Sequence, residues 1–166
     1  MRFSPTFEYL ATGGGDSILR IWEILDPRKT KDVYKLLDKP FRKYNVHKWD
    51  IVDISWSSAN PYLIASVSHD KTAILWDIRD IKPLYIFTMP SVVTGISFSP
   101  CNEDLIATGS LDKITWIWSI KHKTVIDWVE IRDVISSIAF SLDGERLVVG
   151  TLKGTISVFD TTSKLM

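Results

Sequence analysis

The chain has 166 residues, enough for a sizeable buried core, and its 20 lysines and arginines balance 20 aspartates and glutamates. That balance leaves no strong field to draw it onto nucleic acid or an acidic membrane. No apolar run approaches the roughly 20 residues of a membrane-spanning helix, and Met1-Arg2-Phe3-Ser4-Pro5 is no signal peptide. The single cysteine, Cys101, has no internal partner for a disulfide and fits a reducing cytosol, so a cytoplasmic protein is expected.

In chain order, the first strand signals are Phe3-Ser4-Pro5, the short apolar run Tyr9 to Gly13, and Ile18 to Trp22 beyond a turn at Asp16. A longer connection follows. It sets Arg28, Lys29, Lys31, Lys35, Lys39, Arg42 and Lys43 against Glu23, Asp26, Asp32 and Asp38. It reads as a solvated loop or as a dock for an acidic partner or lipid head group. Val33, Leu36 and Leu37 stand at helical spacing, which suggests one short turn strapped onto the side of the fold.

The next unit is the clearest. Ile51, Ile54 and Trp56 supply the buried positions of an inner strand, and Ser57-Ser58-Ala59-Asn60-Pro61 reverses the chain. Tyr62 to Val67 is an apolar run suited to cover on both faces. Ser68-His69-Asp70-Lys71 turns again, Thr72 to Trp76 returns, and an outer strand lies near Pro83 to Thr88. The pattern recurs in Ile96 to Pro100, Leu105 to Ser110 and Trp116 to Trp118, and again in Ile138 to Ser141, Arg146 to Gly150 and Val158 to Asp160. Trp56, Phe98 and Phe140 follow one another at 42 positions, within the roughly 40–45-residue period of a four-stranded propeller blade. The expected fold is all-β, about four blades: blade one about 1–25, an insertion at 26–45, then blades at about 46–88, 89–130 and 131–166.

These units resemble the WD-repeat family, through Trp76-Asp77 after Asp70-Lys71-Thr72 and through Phe-Ser-Pro at the exit of the inner strand. The resemblance implies a rigid propeller that binds other proteins, with no enzyme activity, cofactor or metal. Family propellers close with about seven blades, so an open arc cut from a longer polypeptide is expected. The run Pro40-Phe41-Arg42-Lys43-Tyr44, His47 and Asp53-Ile54-Ser55-Trp56-Ser57 is similar to a branch of the family that serves as Rab-GTPase effectors in recycling traffic. So are Gly109-Ser110-Leu111-Asp112 with Trp118, Asp127-Trp128, and Gly150-Thr151 with Gly154 and Phe159-Asp160-Thr161. That branch implies the Rab-GTPase trafficking machinery as partner, an endosome- or Golgi-associated location, and membrane association through partners alone.

One constellation imitates catalysis: His47, Ser66 and Asp70 are the residue types of a serine-hydrolase triad. The family resemblance implies something else. There a histidine before the inner strand, a serine or threonine on the second strand, the turn aspartate and the third-strand tryptophan hydrogen-bond to one another. Those are His47, Ser66 (or, less fittingly, Ser68), Asp70 and Trp76. A buried indole N–H and a buried imidazole each need a partner. The other repeats lose parts of the set: Met89 and Ile131 stand in for the histidine, Lys153 for the aspartate and Phe159 for the tryptophan.

For binding, the loops entering each inner strand and the turns between second and third strands open on the same end of a blade. Trp49, Asp50 and Val92 in the former, with His69, Leu111 and Leu152 in the latter, make a candidate partner-binding rim. Gly13-Gly14-Gly15 lacks the lysine and following helix of a phosphate loop and reads as a turn. His47, His69, His122 and Cys101 show no metal-ligand spacing, so no metal site is expected.

Overall fold

The computed structural model describes residues 1–25 and 35–161, and every regular element among them is a strand. The first sheet takes β1 (Arg2–Phe3), β2 (Tyr9–Thr12) and β3 (Leu19–Leu25), with β4 (Lys35–Leu36) and β5 (Arg42–Tyr44) both antiparallel to β3. The second runs β6 (Ile51–Trp56), β7 (Leu63–Ser68), β8 (Thr72–Asp77) and β9 (Tyr85–Thr88). The third runs β10 (Val93–Phe98), β11 (Leu105–Ser110), β12 (Ile114–Ser119) and β13 (Thr124–Glu130). The fourth has β14 (Ile135–Phe140), β15 (Arg146–Thr151) and β16 (Ile156–Asp160) among the described residues. Each sheet is an antiparallel meander in chain order, apart from the added β4 of the first. The β-branched residues of the second and third strands suit such pleated, doubly covered positions.

The sequence expectation needs correcting between residues 26 and 45. Arg42–Tyr44 lie not in an insertion but in the outer strand of blade one, pairing Leu19 with Tyr44 and Ile21 with Arg42. The pattern hides this strand because only Tyr44 is buried; Arg42 is half-buried and Lys43 faces solvent. The expected helical turn is also absent at Leu36, which forms strand with Ile24 as its partner; Val33 lies outside the described residues. The basic residues Arg28, Lys29 and Lys31, like residues 162–166 of the expected fourth blade, also lie outside them.

The sheets stack face to face through three cores. The first joins Leu19, Ile21 and Tyr44 of blade one to Ile51, Ile54, Trp56 and Trp76 of blade two. The second joins Ala65, Val67, Leu75 and Phe87 to Val93, Ile96, Phe98 and Trp118, and the third joins Ala107 and Ile117 to Ile135, Ile138, Leu147 and Val149. Removing each such aliphatic side chain from water contributes about 1.5–3 kcal/mol. Close fit sets the spacing. A Cβ at Gly13 would stand 2.8 Å from Ile51 Cγ2, and one at Gly109 2.5 Å from Ile135 Cγ2. The equivalent positions at the middle boundary hold Val67 and Val93, so a residue larger than glycine is matched by one smaller than isoleucine.

Hydrogen bonds reinforce the stacking at the inner strands. Asp53 accepts from Ile96 N–H (3.1 Å) and Ser55 from Phe98 N–H (3.2 Å), so blade two caps amides of blade three. Ser97 does the same for Phe140 N–H of blade four (3.3 Å). Each of β6, β10 and β14 shifts register at one place, after Ile51, Val93 and Ile135, which are again 42 residues apart.

Candidate functional site

Blade two places His47, Ser66, Asp70 and Trp76 together. Strand β7 carries Ser66, β8 carries Trp76, the turn between them carries Asp70, and His47 enters from the loop before β6. His47 Nδ1 lies 3.0 Å from Asp70 Oδ2 and its Nε2 lies 2.8 Å from Ser66 Oγ. Trp76 Nε1–H donates to Ser66 Oγ at 2.9 Å. A carboxylate only accepts, so the imidazole proton sits on Nδ1, and Nε2 accepts the serine hydroxyl proton. One chain of donors then runs from indole to hydroxyl to imidazole to carboxylate, complete with His47 neutral.

Burial pushes the His47 imidazole below the usual histidine range, and the bonded Asp70 carboxylate offsets only part of that. Burial on its own would raise the Asp70 carboxyl. Hydrogen bonds from the Thr72 hydroxyl (2.5 Å), from Lys48 N–H (2.8 Å) and from His47 outweigh it and hold the group below its ordinary value. Tyr44 closes the outer side, its ring 4.5 Å from that of Trp76 and its hydroxyl donating to Asp80 O at 2.9 Å. Burial raises its phenol to about 12.

The connectivity of His47, Ser66 and Asp70 is that of a triad, yet Ser66 has no exposed surface and its oxygen is engaged by both the imidazole and the indole. No substrate carbonyl can reach it. In this geometry the chemistry is a link between two strands, the turn that joins them and a loop. Among the described residues no cluster of His, Cys, Asp and Glu could hold a metal ion.

The indole link recurs where the full set does not. Trp22 Nε1–H donates to Thr12 Oγ1 at 2.9 Å and Trp118 Nε1–H to Thr108 Oγ1 at 3.0 Å. Sequence reasoning missed both threonines, although each stands ten residues before its tryptophan, the interval from Ser66 to Trp76. The turn aspartates also act alike, since Asp16, Asp70 and Asp112 each accept the N–H two residues on, from Ile18, Thr72 and Ile114. The next residue in each turn has positive φ: Ser17 (61°), Lys71 (66°) and Lys113 (70°). In blade four Lys153 offers no such cap, and the positive φ (78°) falls on Gly154, where no Cβ opposes it.

The rim residues meet at one end of the blades. His69 N–H donates to Asp50 O (3.1 Å), Leu111 N–H to Val92 O (2.9 Å) and Leu152 N–H to Val134 O (3.0 Å), one link per blade between entering loop and turn. Trp49 is 63% exposed, Leu152 70% and Leu111 43%; Asp50 and His69 are exposed as well, while Val92 is half-buried. Large apolar side chains at loop tips on a rigid base are the usual material of a protein-binding surface.

Stacked four-stranded meanders with indole-to-hydroxyl links and a loop rim define a β-propeller segment built from repeats. The model of the family "WD domain, G-beta repeat" matches residues 1–23, 38–77, 81–119 and 131–160, well over half of the chain, and the chain belongs to that family. It is similar to a subunit of chromatin assembly factor 1 from Gallus gallus, 34% identical over 89 residues that make up 47% of this chain and 15% of that protein. It is also similar to the ribosome biogenesis protein YTM1 of Candida glabrata (36% over 93 residues, 55% of this chain and 19% of that protein). A third relative is the periodic tryptophan protein 1 homolog of Drosophila melanogaster (34% over 77 residues, 44% and 17%). The matches thus span less than a fifth of each relative's length. These names lend no support to the Rab-effector branch.

Proposed function

We propose that this chain is a non-catalytic scaffold that holds a protein partner on the rim bearing Trp49, Asp50, His69, Val92, Leu111 and Leu152. The single observation that carries the reading is the exposure of Trp49, Leu111 and Leu152 on loops pinned to one end of the blades. The finer reading is a cytoplasmic adaptor in Rab-linked vesicle or endosome traffic. It is supported by the likeness of Pro40 to Tyr44, His47 and Asp53 to Ser57 to WD-repeat protein 44, a Rab-GTPase effector.

A second reading is favoured by the relatives' names: membership of a chromatin-assembly or ribosome-biogenesis complex. Affinity capture with the tagged protein, followed by identification of the bound proteins, separates the two. GTP-loaded Rab proteins or their regulators favour the first, and histone-binding or ribosome-assembly factors the second. On either reading, Trp49→Ala with Leu111→Ala weakens capture and leaves the melting temperature nearly unchanged, because both side chains contribute interface rather than core. Undiminished capture would refute the rim assignment.

A further inference from the structure

The turns of blades two, three and four present His69-Asp70-Lys71, Leu111-Asp112-Lys113 and Leu152-Lys153-Gly154 in succession. Their acids are turned into the fold. Asp70 is occupied by His47, Thr72 and Lys48 N–H, and Asp112 accepts from the Ser110 hydroxyl and from Ile114 N–H. Their cations point out: Lys71 and Lys113 are exposed, and the Lys153 side chain is 78% exposed. Lys48 and Arg132 add exposed cations from the adjoining loops. Asp133 is nearly covered and lies 3.4 Å from Lys153 Nζ, which leaves Asp50 and Glu130 as the exposed acids described at this end of the three blades. A chain with no net charge therefore meets an approaching partner, at contact range, with lysines beside apolar tips.

We propose that this rim takes an acidic peptide segment of a partner protein. Its carboxylates would meet Lys71, Lys113 and Lys153, and its apolar side chains would cover Trp49, Leu111 and Leu152. This inference rests on the rim being the docking surface. An exposed ion pair is weak singly, so selectivity comes from several pairs set around apolar anchors. The apolar tips and the exposed Asp50 favour a peptide over a phosphate backbone.

The test uses the whole chain and three labelled probes: a short peptide of glutamate, leucine and serine, the same peptide with glutamine for glutamate, and a single-stranded oligonucleotide of matched charge. The acidic peptide should bind about tenfold more tightly than its neutral counterpart, and that advantage should shrink as salt rises from about 0.05 to 0.5 M. Lys71→Glu with Lys113→Glu and Lys153→Gln, the last chosen because Asp133 lies against Lys153, should abolish the advantage without altering the thermal melt, whereas Lys82→Glu with Lys121→Glu, at the other end of the blades, should not. Equal binding of both peptides, or tighter binding of the oligonucleotide, overturns the proposal. If Trp49→Ala and Leu111→Ala still weaken peptide binding in that case, the rim reading stands and only the charge selectivity falls. If they do not, both fall.

Discussion

In blade two, Asp70 caps the turn while His47, Ser66 and Trp76 fill the space behind it with a closed chain of hydrogen bonds. At the same four places blade four has Lys153, Ile131, Val149 and Phe159, the isoleucine and valine buried and the phenylalanine partly so in one apolar core. Blade three stands between, keeping Asp112 and the link from Trp118 to Thr108 but packing Met89 where the histidine would be. The backbones agree in strand order and register shift. The set is lost piecemeal, but its remaining members stay bonded: blade three drops the histidine and keeps Trp118 on Thr108 and Ile114 N–H on Asp112, whereas blade four has none of the four. A half-satisfied buried network costs more than either a complete one or none, because each orphaned donor or acceptor loses its water without a replacement.

The sharpest break of this comparison is to delete the turn residue from each blade. Asp70→Ala strands the His47 N–H and the Lys48 N–H and should destabilise the protein by about 1–3 kcal/mol in denaturant melts. Lys153→Ala, at the same place in blade four, removes an exposed side chain and its ion pair with Asp133, and should cost no more than about 1 kcal/mol. Equal losses from the two would show that the blades do not differ in this way.

Acid provides a gentler probe. The unfolded chain binds a proton at His47 near pH 6.5, whereas the folded chain, its imidazole held below that value by burial, does not. Stability from this residue is therefore full above about pH 6.5 and declines as pH falls below it toward the folded value. The Asp70 carboxyl, also held below its ordinary 3.8, adds a loss only at more acid pH. His47→Met, which copies Met89 of blade three, should flatten the decline just below pH 6.5 while leaving the steeper acid limb. A slope unchanged by that substitution would place the titrating group elsewhere.

Much of the fold was legible in the sequence. The repeat, 42 residues long from Trp56 through Phe98 to Phe140, marked three blades, the matching motifs from Phe3 to Trp22 marked the first, and the family resemblance implied the set of His47, Ser66, Asp70 and Trp76 that the fold brings together. The outer strand of blade one was not legible, because a three-residue strand with one buried side chain carries too little alternation to stand out from a basic connection. Thr12 and Thr108 were hidden for a different reason. The complete set of blade two points to a histidine and an aspartate, while the commoner indole-to-hydroxyl bond needs only a hydroxyl at a fixed interval. The outward lysines were equally hidden, since positive φ at Lys71 and Lys113 is a property of the folded turn and not of residue type.

His47 and Asp70 act together as a structural link, and a double-mutant cycle measures their coupling. Denaturant unfolding of the parent, His47→Ala, Asp70→Ala and the double variant gives the coupling free energy of the pair. The double variant should be less destabilised than the sum of the two single ones, by about 1–3 kcal/mol, because the second deletion removes a partner already orphaned. Strict additivity of the two losses would contradict it.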